Sequence, residues 1–231
     1  MSQRSLINHL WYRSMRYLLR LVAVLGYGLR ISGQTRIPRD GAVLIVSNHQ
    51  SHLDPPLVGI CCRRRLNFMA RETLFAFKPF GWLIRSLDAF PIDREGTGLA
   101  GVKETLRRLK RGEMVLVFPE GTRTRDGEIA PFRPGFATLA VRGRAAIQPV
   151  AIEGAFDAWP RWNRFPGPGC IHIHFGCPLK PEEVEHLNER DLIAEAERRV
   201  RACQAVLRGG EIDYERPHPT SPLLNNTPEV E

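Results

Sequence analysis

Six short runs rich in β-branched and aliphatic residues recur along this chain, with helical spacing between several of them. No other feature narrows the fold as much. The runs are residues 43–47, 66–70, 89–92, 114–118, 147–153 and 171–175. Between the third and fourth, Leu99, Val102, Leu106 and Leu109 recur at intervals of three and four, and Lys103, Arg107 and Lys110 take another face. That spacing predicts an amphipathic helix. A second helical stretch, rich in Glu, Arg and Ala, begins after Pro181 and runs to about residue 207. A strand followed by a helix returns beside its predecessor as a parallel neighbour, whereas a tight turn would make it antiparallel. The expectation is an α/β domain: a mixed, largely parallel sheet flanked by helices. The 231 residues suffice for one such domain with a sizeable core.

Composition divides the rest of the chain. From residue 209 onward Pro, Asn, Thr and Glu replace apolar residues, so 209–231 is expected to be a disordered tail. The core domain is expected over 36–208. The remaining segment, 1–35, has a longest uncharged run of nine residues, 21–29. A membrane-spanning helix needs roughly 20. Arg13, Arg16 and Arg20 also interrupt any signal-peptide core. Turned at about 100° per residue, Ile7, Trp11, Met15, Leu18, Val22 and Leu25 share one side and the three arginines the other. Such a helix suits a membrane interface, or it packs on the domain core.

A formal charge of +8 favours an anionic partner: nucleic acid, anionic lipid or a phosphorylated substrate. Nucleic acid fits poorly, because the basic residues are scattered and lack interleaved aromatics. Five cysteines, an odd count with no CxxC spacing, support neither a disulfide framework nor a zinc site with paired-cysteine knuckles.

Two apolar runs end in polar segments that can carry chemistry. The run 43–47 leads into Asn48-His49-Gln50-Ser51-His52-Leu53-Asp54, followed by Pro55-Pro56. The two prolines predict a helix start with Asp54 as N-cap. If the loop folds back, the Asp54 carboxylate also accepts from one His49 nitrogen and leaves the other free as a base. The run 114–118 leads into Phe118-Pro119-Glu120-Gly121-Thr122-Arg123. A glycine, a hydroxyl and a guanidinium in succession suit a phosphate. Ile92-Asp93-Arg94 and Phe132-Arg133-Pro134-Gly135 are further polar strand ends.

These segments, in this order, resemble the lysophosphatidic acid acyltransferases and their glycerol-phosphate acyltransferase relatives. The resemblance rests on Asn48 through Asp54, on Phe90-Pro91-Ile92-Asp93-Arg94, on Phe118 through Arg123 and on Ile147-Gln148-Pro149-Val150. Met69-Ala70-Arg71-Glu72-Thr73-Leu74-Phe75 resembles the family's linking segment, and the likeness covers about residues 18–176. It implies that His49 is the general base and Asp54 its orienting partner. A lipid hydroxyl then attacks an acyl thioester directly, without a covalent acyl-enzyme. Arg94, Glu120, Gly121, Thr122 and Arg123 are implied to hold the acceptor's phosphate, with Glu120 orienting Arg123 or the loop. Pro149 and Val150 are implied to shape the acyl-chain pocket. No metal and no cofactor are expected; acyl-CoA or acyl carrier protein is the co-substrate, and a lysophospholipid, 1-acyl-glycerol 3-phosphate first, is the acceptor. The expected location is the cytoplasmic face of an anionic membrane, peripheral or monotopic. Arg71 and Arg133 stand where the family often has Lys, which keeps the charge.

Two readings compete. Gly96-Thr97-Gly98-Leu99-Ala100-Gly101 matches the dinucleotide fingerprint, with Glu120 about 20 residues on. Pro91 in the strand, and Asp93-Arg94-Glu95 where a tight turn is needed, weigh against it. Alternatively His49, His52 and Asp54, with His172 and His174, could support metal-assisted hydrolysis. No GxSxG elbow is present for a serine hydrolase.

Overall fold

The computed structural model describes residues 6–92 and 99–210. Among the described residues seven strands form one sheet: β1 (Arg30–Ser32), β2 (Val43–Ser47), β3 (Leu66–Arg71), β4 (Ala89–Ile92), β5 (Met114–Val117), β6 (Ala146–Glu153) and β7 (His172–Phe175). Their spatial order is β1-β7-β6-β2-β5-β3-β4. Every neighbouring pair is parallel except β6 with β7. The expected mixed, largely parallel sheet is therefore what forms.

The central strands are buried on both faces, which explains why they read as continuous apolar runs. Alternate residues serve opposite cores. Val43, Ile45, Met114 and Leu116 join one cluster, with Leu57 and Val58 of α2 (Asp54–Cys61), Ile84 of α3 (Lys78–Ser86) and Ala155 of α6 (Ala155–Ala158). Leu44, Val46, Val115 and Val117 join the other, with Leu109 of α4 (Leu99–Lys110), Phe136 of α5 (Gly135–Gly143), Val184 of α7 (Pro181–His186) and Leu192 of α8 (Glu189–Leu207).

Three expectations shift. The strand β1 was not anticipated: Arg-Ile-Ser is too short and polar to read as one, and it forms by parallel pairing of its backbone with β7. The long C-terminal helix divides, because Leu187 is extended and Asn188 caps a new helix by accepting from the Asp191 N–H. Helix α4 is rotated about its axis. It buries Gly101, Thr105 and Leu109, one i, i+4 row, while Leu99 and Val102 stay exposed.

The N-terminal helix α1 (Leu6–Tyr27) forms as its periodicity predicts. It packs on the domain through Tyr12, Leu19 and Ala23. Arg16, expected on the polar side, donates to the carbonyls of Cys62 and Arg63 at 2.7 and 3.2 Å and ties α1 to the end of α2. Leu18, Val22 and Leu25 remain exposed. Among the described residues no helix is long and apolar enough to cross a membrane. The tail from residue 211 lies outside the described residues.

Candidate active site

Strands β2 and β5 are adjacent and parallel, so their C-terminal ends deliver two loops to one place. Asp54 is the first residue of α2, and its carboxylate turns back onto its own loop. One oxygen, Oδ2, accepts from the N–H of Gln50 at 2.6 Å, the N–H of Ser51 at 2.7 Å and His49 Nδ1 at 2.8 Å. In the neutral imidazole, an Nδ1–H donated to this carboxylate leaves Nε2 as the acceptor nitrogen.

The expected helix-capping role of Asp54 does not materialise. Leu53 occupies the N-cap position, with no side-chain cap. The amides an Asp54 cap would serve belong to Pro56, which has no N–H, and Leu57, whose N–H donates to the Leu53 carbonyl at 3.0 Å. The carboxylate is left for the loop and the imidazole.

The second loop braces the histidine on three sides. The Phe118 ring stacks on the imidazole, with centroids 3.9 Å apart and planes 12° from parallel. The Thr124 N–H donates to the His49 carbonyl at 2.8 Å. Glu120, only 3% exposed, accepts from the His49 N–H through Oε1 at 2.8 Å and from the Ala130 N–H through Oε2 at 3.0 Å. Glu120 therefore orients the loop that bears His49. Burial pushes its carboxyl up to about 7; the two N–H donors oppose that rise, Asp54 adds to it and Arg201 opposes it. The His49 side chain keeps 12% of its surface exposed, enough for contact with a substrate.

Sequence reasoning passed over the scaffold of this loop. Asn48 bonds both the N–H and the carbonyl of Ile152, at 2.8 and 2.9 Å, and locks the end of β2 to β6. The Gln50 side chain donates to the Gly127 carbonyl at 3.2 Å and accepts from the Phe156 N–H at 3.2 Å. Ser51 Oγ donates to the Trp159 carbonyl at 2.9 Å. The available signal was a run of small polar residues leaving an apolar strand: buried polar groups there must be bonded.

The remaining candidates divide. Gly121, Thr122 and Arg123 follow Glu120 at the same turn, Thr122 exposed and Arg123 half-buried. Gly121 has φ +74°, and an added Cβ would meet the Arg133 guanidinium at 3.1 Å. Arg133, from the fourth polar segment, thus lies over this turn. Arg94 lies outside the described residues, as do Gly96, Thr97 and Gly98 of the dinucleotide-like motif. Pro149 and Val150 are buried strand residues beside the site, with Val150 opposite Ser47 in the ladder. Pairing of β6 runs from Val150 with Phe175 to Ile147 with Leu179, and the partner chain bulges opposite Pro149, which tolerates its missing N–H.

Of the competing metal ligands, His52 packs against the Trp159 ring with centroids 5.2 Å apart. His174 uses both ring nitrogens, against Ser32 Oγ at 2.6 Å and an Arg36 nitrogen at 3.1 Å. Among the described residues no three His, Cys, Asp or Glu side chains are grouped to hold a metal ion.

With this geometry in view, likenesses to known proteins are informative. Residues 28–153 match the family model described as Acyltransferase. A 1-acyl-sn-glycerol-3-phosphate acyltransferase of Bacillus subtilis is 28% identical over 184 residues, which is 79% of this chain and 89% of that protein. A lyso-ornithine lipid O-acyltransferase of Pseudomonas aeruginosa is 32% identical over 169 residues, 72% of this chain and 63% of that protein. The crystal structure of a 1-acyl-sn-glycerophosphate (LPA) acyltransferase from Thermotoga maritima superposes with a TM-score of 0.77 at 26% identity, covering 92% of this chain and 86% of that one.

Proposed function

Because this chain belongs to the acyltransferase family and is an O-acyltransferase, we propose that it moves a fatty acyl group from acyl-CoA or acyl carrier protein to the free hydroxyl of 1-acyl-glycerol 3-phosphate, giving phosphatidic acid. The observation that carries the mechanism is the 2.8 Å bond between His49 and Asp54, on an imidazole that also stacks on Phe118.

In the proposed reaction, His49 Nε2 takes the acceptor's hydroxyl proton as the oxygen attacks the thioester carbonyl carbon. Asp54 stabilises the imidazolium that forms. The tetrahedral intermediate collapses with cleavage of the C–S bond, and the departing thiolate recovers the proton from His49. No side chain is acylated. Burial pushes the Cys61 thiol up to about 12, far from a reactive thiolate. Arg123, Thr122 and the Gly121 backbone hold the acceptor's phosphate, joined by Arg94. Pro149 and Val150 support the acyl chain's side of the site. The exposed apolar face of α1 and the net positive charge bring the protein to the cytoplasmic surface of an anionic membrane.

A second acceptor has a specific observation behind it: the Pseudomonas relative, 32% identical, is named for a lyso-ornithine lipid. Thiol release from acyl-CoA against a panel of lysolipids separates the two. We expect the phosphomonoester acceptor to be preferred; faster turnover of a phosphate-free lysolipid would reassign the acceptor. His49→Ala should stay folded and lose at least about a hundredfold in kcat. Full activity in that variant would remove the base from the mechanism.

A further inference from the structure

Between β6 and β7 the chain leaves the sheet at the same end as His49 and returns only at Ile171. In this excursion Arg161, Trp162, Asn163, Arg164, Phe165 and Pro166 are consecutively exposed. Trp162 and Phe165 present 62% and 71% of their surface to solvent, values unusual for large aromatic residues. An arginine precedes each of them, and the Arg164 guanidinium lies over the Phe165 ring at 5.5 Å. From residue 158 to 181 the sequence holds no Asp or Glu. Pro160, Pro166 and Pro168 restrict the backbone, so displaying these side chains requires little further ordering.

This loop is fastened to the candidate catalytic loop. Ser51 bonds the Trp159 carbonyl, His52 packs on the Trp159 ring, and Gln50 accepts from the Phe156 N–H. The Phe156 ring in turn meets Trp162 edge-on at 5.5 Å. At its far end the Ile171 N–H donates to the Tyr27 carbonyl at 2.9 Å, which joins the loop's return to the last turn of α1. The exposed Leu21, Val22 and Leu25 lie in the two turns before that carbonyl.

Aromatic rings that carry cations beside them match one environment well: the boundary between anionic head groups and acyl chains. There the rings enter and the guanidinium groups stay with phosphate. We infer that residues 159–169 form a second lipid contact, which seats the mouth of the His49 site on an anionic membrane surface. The inference rests on the lipid-acceptor reading above. An acidic protein, such as an acyl carrier, is the rival occupant. It would use the arginines but gain little from two rings presented together with the apolar end of α1.

The test uses the full chain with two double variants, Trp162→Ala/Phe165→Ala and Arg161→Glu/Arg164→Glu, each checked for an unchanged thermal midpoint. Co-sedimentation with phosphatidylglycerol–phosphatidylcholine vesicles should fall at least about tenfold for the arginine pair at low salt, with the difference closing at high salt. The aromatic pair should lose partition at both salt concentrations. Turnover of a vesicle-embedded lysolipid should fall with partition, while turnover of a short-chain, water-dissolved lysolipid stays at the wild-type level. Unchanged partition would overturn the inference. So would equal losses on both acceptors, which would make the loop part of the chemistry. Loss of acyl carrier protein binding with vesicle binding intact would transfer the loop to the rival. Partition is read without turnover, so a wild-type chain that transfers no acyl group would refute the proposed function and still leave the lipid contact decided by its own measurement.

Discussion

Glu120 shows how a residue's role can differ from the one its neighbours suggest. Beside Gly121, Thr122 and Arg123 it belongs to a phosphate-binding segment by composition, yet its two oxygens are spent on the N–H groups of His49 and Ala130. An amide cannot replace it, because Gln offers one acceptor and sets a donor against the second N–H. Glu120→Gln should therefore lower kcat more than it raises KM for the acceptor. It should also change the pH dependence of stability. The native carboxyl is raised from 4.5 to about 7, so the folded chain holds a proton there that the unfolded chain releases. The stabilising contribution is full below about pH 4.5 and is lost as pH rises through 7. Urea midpoints at pH 5 and pH 8 should show the variant gaining on the wild type at the higher pH, by on the order of 2 kcal/mol. A gap that is constant with pH would mean that Glu120 titrates normally. Arg123→Ala should raise the acceptor's KM with a smaller effect on kcat, as loss of ground-state phosphate binding requires. An unchanged KM would break the phosphate assignment. His49, Asp54 and the Gly121–Arg123 turn were legible because they pair reactive groups at strand ends. Asn48, Gln50 and Ser51 were not, because their partners lie about 77 to 108 residues away in sequence.

The elements divide by where their stabilisation originates. β2 and the bodies of β5 and β6 were legible because strands buried on both faces must be apolar throughout. β1 carries no such signal and depends on its backbone pairing with β7. Its exit is set by Gly33, with φ +74°, where a Cβ would come within 2.0 Å of the Phe175 carbonyl oxygen. Gly33→Ala should cost at least about 2 kcal/mol, through a left-handed backbone and a forced separation of β1 from β7. A urea midpoint equal to wild type would show that this edge can move freely. α4 gives the complementary case. Its helical period was legible, but the face it buries was not. The buried row holds the small residues Gly101 and Thr105 beside Leu109, while the larger Leu99 and Val102 face outward.

At the scale of the whole molecule, α1 serves two surfaces at once. Tyr12, Leu19 and Ala23 belong to the core, while Leu18, Val22 and Leu25 lie outside it. Deleting the helix would conflate membrane release with loss of packing. The cleaner variant is Leu18→Glu/Val22→Glu/Leu25→Glu. It should leave the thermal midpoint near the wild-type value and weaken partition into anionic vesicles at least about tenfold. Unchanged binding would remove α1 from the membrane contact. Period, apolar continuity and the residue types at strand ends are properties of local sequence, so the sequence alone determined the α/β class, most strand positions and the His49–Asp54 pair. The long-range arrangement required the tertiary structure. Strand order brings the loops after β2 and β5 together, and burial turns Glu120 onto the His49 backbone. Neither is written in any one segment, because each depends on which distant groups are excluded from water together.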